Sequence, residues 1–99
     1  MKLITAIVRP TTMEKIVVAL EGIENFPGIT VTQAEGFGRR LQTSSYDALN
    51  PFKQKKRIDI AANDEMVEEI VEAIHRNAHT GKKGDGIIFV VPVENALLV

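Results

Sequence analysis

The chain has 99 residues, with 12 Lys and Arg against 13 Asp and Glu for a formal charge of -1. No long-range field therefore recruits nucleic acid or an anionic membrane, and any anion site has to be local. The absence of cysteine excludes a disulfide framework, thiol catalysis and thiolate metal ligation, and one domain this small is expected to bury more of its surface by associating with copies of itself.

The opening MKLITAIVRP is apolar only as far as Val8 before Arg9 and Pro10 interrupt it. It is too short for a signal peptide, and no other apolar run approaches spanning length, so a cytoplasmic protein is expected. Met1 to Val8 predicts a strand buried on both faces or at the middle of a sheet. After Pro10, Thr11 or Thr12 is expected to cap a helix whose apolar Met13, Ile16, Val17 and Leu20 share one face, ending near Gly22. Asn25, Pro27 and Gly28 mark a turn, and ITVTQAEG then alternates Ile29, Val31 and Gln33 against Thr30, Thr32 and Ala34 as a second strand. From Gly36 to Lys55 the periodicity gives way to Ser, Thr, Asn, Pro and charge, which reads as one long excursion over 37–55.

KRIDIAA resumes the alternation, with Ile58 and Ile60 on one side and Asp59 on the other. Asn63 or Asp64 then caps a helix whose stripe of Met66, Val67, Ile70, Val71, Ala73, Ile74 and Ala78 opposes Glu65, Glu68, Glu69 and Glu72. IIFVV makes a fourth strand that Pro92 interrupts. The order is strand, helix, strand, strand, helix, strand: an α+β, ferredoxin-like βαββαβ domain over residues 1–99, with an antiparallel sheet and both helices on one face. The other sheet face has no cover within the chain, and packing against equivalent sheets of other subunits is the economical solution.

Candidate chemistry is sparse. GKKGDGII lacks the Lys and Ser or Thr that a Walker loop places after its last glycine, and GFGRRL has Leu41 where a dinucleotide fingerprint needs glycine. The glycines of 79–86 suit either a helix stop at Gly81 with a tight turn into the strand, or a concavity of N–H groups beside Lys82 and Lys83. His75 and His79, four apart, either complement the helix dipole or share a metal for which spacing supplies no third ligand. KQKKR reads as a solvated edge or a contact for an acidic partner. Ser44, Ser45 and Tyr46 have no base beside them, so no catalytic residue is assigned and no enzyme is expected.

Together MKLITAIVRP, GITVTQAEGFGR and TGKKGDGIIFV resemble the opening strand, the glycine signature and the B-loop of the PII signalling family, over nearly the full chain. The resemblance implies a homotrimer with three clefts between subunits that bind adenine nucleotides. It also implies a T-loop over 37–55 that engages a membrane transporter, an efflux system or an enzyme, with no nucleic acid as partner. By position, Ile7, Thr30, Ala61 and Ala62 would line the base and ribose region. Gly36, Phe37, Gly38, Arg39 and Arg40 would form the wall into the T-loop, and Gly84, Asp85 and Gly86 the nest facing the phosphates. Ile87 stands where the family usually carries a phosphate-reaching lysine, and Leu98 where ATP-binding members carry a basic residue. AMP, ADP or another small anion is therefore expected over tight ATP binding. The T-loop is shorter than in nitrogen-control members by roughly four residues, and Tyr46 is a candidate modification site. The alternative reading is a metal-responsive trimer resembling the cation-tolerance proteins, with His75, His79 or loop carboxylates as ligands.

Overall fold

A computed structural model describes residues 1–36 and 52–99; Phe37, Gly38, Arg39, Arg40 and Tyr46 lie outside the described residues. Strand β1 (Lys2–Val8) leads through a 3-10 turn (Pro10–Thr12) into helix α1 (Met13–Glu21), and β2 (Thr30–Gly36) follows. Strand β3 (Lys53–Ala62), helix α2 (Asp64–Ala78) and β4 (Gly86–Pro92) complete the described elements. The strands form one antiparallel sheet in the order β2-β3-β1-β4. This is the expected ferredoxin-like arrangement, with the first strand central.

The register explains the core. Ile4 stands opposite Ile60 on β3 and Val90 on β4, and Ala6 opposite Ile58 and Ile88. The alternation of period two therefore sends Ile4, Ala6, Val8, Ile58, Ile60 and Ala62 to the same side, where all are buried. Both helices close over that side, α1 through Ile16 and Leu20 and α2 through Ile70, Ala73, Ile74 and Ala78. Each such isoleucine or leucine contributes about 1.5–3 kcal/mol of apolar burial. On the other sheet face Ile87, Phe89 and Val91 remain 58%, 41% and 40% exposed, which leaves an apolar strip that no element among the described residues covers.

Three local details differ from expectation. Strand β3 begins at Lys53, because Gly36, Glu35 and Ala34 of β2 pair with Lys53, Gln54 and Lys55; backbone pairing does not need apolar periodicity. No side-chain cap starts either helix: the Thr12 hydroxyl donates to the Arg9 carbonyl at 3.0 Å, and Asn63 caps through its carbonyl, which accepts the Met66 N–H. Pro92 closes β4 opposite Lys2 instead of interrupting it, at the end of an edge strand where proline is tolerated.

Candidate functional site

The loop between α2 and β4 is organised by one carboxylate. Asp85 Oδ2 accepts the N–H groups of Thr80 at 2.7 Å and Gly81 at 3.1 Å. Its Oδ1 accepts the Thr80 hydroxyl and, at 3.2 Å, the Arg9 Nε. The Lys82 N–H in turn donates to Thr80 Oγ1 at 3.3 Å. The Thr80 hydroxyl and N–H, followed by Arg9 and Gly81, hold the Asp85 carboxyl well below the usual carboxylate range against a partial loss of hydration. Such a turn requires glycine at its end: Gly86 has φ +134, and a β-carbon there would lie 2.0 Å from the Ile7 carbonyl oxygen.

Two cations reach the same loop from the sheet. The Arg9 guanidinium donates to the Lys83 carbonyl at 2.6 Å, and Lys55 Nζ to the Gly84 carbonyl at 3.0 Å. Burial and then the charge of Arg9 push the Lys55 ammonium pKa down, with Asp85 acting in the opposite direction. The Asp85 carboxylate is already engaged by four donors, so the cluster offers positive charge to an anion at the foot of the loop.

Of the residues singled out from sequence, Ile7, Gly36, Gly84, Asp85 and Gly86 share this end of the sheet. Ile7 pairs with Ile87 across β1 and β4, and Gly36 lies against the Lys55 side chain. Thr30 and Ala61 are at the opposite end, where Thr30 faces Asp59 and Ala61 faces Leu3. Lys55 and Ala61 are six residue steps apart along β3, about 20 Å, so one chain does not bring the two groups together. Ala62 is buried under the helices, which leaves only its backbone to a ligand on the open face.

Three further side chains, Arg9, Lys55 and Asp59, stand at these two groups. Arg9 and Lys55 are brought to the loop from 74 and 29 residues away, which no local pattern signals. Asp59 lies beside Thr30 and Ala61, lining with them a cavity of about 510 Å³ near Leu98. Its signal was present: a carboxylate inside RIDIAA, opposite the buried isoleucines. Asp59 accepts the Thr5 hydroxyl at 2.7 Å and Arg57 Nε at 3.1 Å. Burial works to raise its pKa, but the hydrogen bonds from Arg57 and Thr5 and the Arg57 charge outweigh it and hold it low.

Among the described residues, no three His, Asp or Glu side chains are gathered into a ready metal cage, and no helix is long and apolar enough to cross a membrane. The family model described as nitrogen regulatory protein P-II matches residues 1–99. The chain is 41% identical to the nitrogen regulatory protein P-II of Azospirillum brasilense and 38% to that of Bradyrhizobium diazoefficiens, each over 103 residues. It is 36% identical to nitrogen regulatory protein GlnK of Escherichia coli K12 over 104 residues. Each alignment covers 100% of this chain and 91% of the relative.

Proposed function

The chain belongs to the nitrogen regulatory protein P-II family, a family of signal-transduction regulators, and from that premise we propose that it is a homotrimeric sensor of adenine nucleotides. The nucleotide sits in a cleft between subunits, its phosphates at the Asp85-centred loop of one copy and its base and ribose near Thr30, Asp59 and Ala61 of the next. The observation that carries this reading is the separation of the two groups within one chain: a second copy is needed to complete the site. The uncovered strip of Ile87, Phe89 and Val91 supports such association, since apolar strips of this kind mark protein contacts.

Ile87 neither donates nor neutralises, so the site favours AMP or ADP over a triphosphate. Ligand occupancy changes the presentation of residues 37–55 to a transporter, efflux system or enzyme, in the manner of a ligand-biased switch. The match to the P-II model along residues 1–99 favours this reading over the cation-tolerance architecture. Calorimetry on the purified oligomer with AMP, ADP and ATP tests it. Saturable binding of AMP or ADP, at one site per subunit, is expected; no binding of any of the three defeats the proposal.

A further inference from the structure

We propose that His75 and His79 form a two-histidine site for a divalent transition ion such as zinc, nickel or copper, with the Asp85 carboxylate adding negative charge beside it. The proposal does not depend on nucleotide binding. The His79 N–H still donates to the His75 carbonyl at 3.0 Å, so the two residues remain one helical turn apart although the His79 backbone already leaves the helix. Their ring centroids are 5.6 Å apart and the planes are tilted by 39°. An ion bound to an imidazole nitrogen at about 2.0–2.1 Å lies roughly 3.2 Å from the ring centre, so two rings at a tetrahedral angle have centres about 5.2 Å apart. The observed separation is within a few tenths of an ångström of that value, a difference that small side-chain rotations close.

The surroundings supply the rest of a working site. His79 Nδ1 lies 3.7 Å from Asp85 Oδ2, beyond hydrogen-bond distance, so the carboxylate adds negative charge beside the site and leaves both ring nitrogens free of it. Both histidines line one cavity of about 350 Å³ with Val8, Val71 and Ile88, so apolar walls back the site while its mouth stays open for water or a further ligand. In a chain without thiols, imidazole donors favour zinc, copper and nickel over calcium or magnesium. Charge complementarity with the helix dipole accounts for basic residues at this helix end, but it does not require two rings at bridging distance over one cavity. Asp85 also holds the Thr80 and Gly81 N–H groups, so an ion on His79 acts one residue from the loop.

The test is titration of the metal-free full chain with zinc and separately with nickel, without nucleotide. One ion per chain is expected, with affinity falling at least about tenfold in either His75→Ala or His79→Ala. His79 is 63% exposed and its replacement should leave the circular dichroism spectrum unchanged. A second readout is paramagnetic broadening by nickel, expected first at the C2 protons of both imidazoles. Undiminished binding in the two single variants, broadening of only one ring, or no binding by the native chain overturns the proposal.

Discussion

A β-carbon on Gly86 would stand 2.0 Å from the carbonyl oxygen of Ile7, so β4 enters the sheet at a point where only a hydrogen atom fits. The obstacle is backbone, which cannot swing aside as a side chain does, and φ is also in the left-handed region. Gly86→Ala is expected to destabilise the protein by about 3 kcal/mol, combining a clash with an unfavourable dihedral. Gly84 has φ +87, but its nearest obstacle is the end of the Arg9 side chain at 3.4 Å. Gly84→Ala is expected to cost only about 1–2 kcal/mol. Denaturant midpoints of the two variants check the ranking, and equal losses contradict it.

Asp85 links stability to acid. Its folded pKa lies below the unfolded value, so its contribution is fully present above the ordinary carboxylate value of about 3.9 and is lost as pH falls through the lower folded value. Asp85→Asn keeps the shape and removes the charge. Unfolding followed as a function of pH is expected to show the native chain losing stability below about pH 4 more steeply than the variant. Parallel curves would mean that the loop does not depend on the ionised carboxylate.

Thr5 is 1% exposed and gives its hydroxyl proton to Asp59 at 2.7 Å. Thr5→Val retains the shape while leaving Asp59 one donor short, an expected loss of about 1–2 kcal/mol. The pKa of Asp59 is expected to rise in the same variant, because a hydrogen bond to its charged form is gone. Carboxyl carbon NMR titration measures that shift; an unmoved value rules out the Thr5 bond as one of its causes.

The fold was legible because two of its strands alternate and the other two are short apolar runs. Ile58 and Ile60 against Asp59 announce which side faces the helices, and Met66 to Ala78 announce the helix that covers it. The family was legible in the spacing of GFGR and TGKKGDG. The chemistry of the loop was less so. Glycines beside Asp85 suggest a concavity of backbone N–H groups, whereas the Asp85 carboxylate itself takes the Thr80 and Gly81 N–H groups, and Arg9 and Lys55 take the Lys83 and Gly84 carbonyls. Those partners meet only through sheet register, which composition does not encode. Ala62 illustrates the same limit: beside Ala61 in sequence, it faces the core because strand neighbours point to opposite sides.

A lysine in place of Ile87 restores charge to the proposed phosphate site. Ile87 is 58% exposed and pairs with Ile7 on the open sheet face, so a lysine there lays its stem over Ile7 and carries its ammonium toward the loop without entering the core. A charge-assisted contact contributes about 1.5–3 kcal/mol, or about ten- to hundredfold in affinity. The gain should fall on the ligand whose phosphates reach furthest. Ile87→Lys is therefore expected to tighten ATP by about tenfold or more while changing AMP far less, measured by calorimetry on both proteins. An equal gain for the two nucleotides would place the new ammonium in the general field of the cleft instead of at the terminal phosphates, and no gain for either would remove Ile87 from the account of the site.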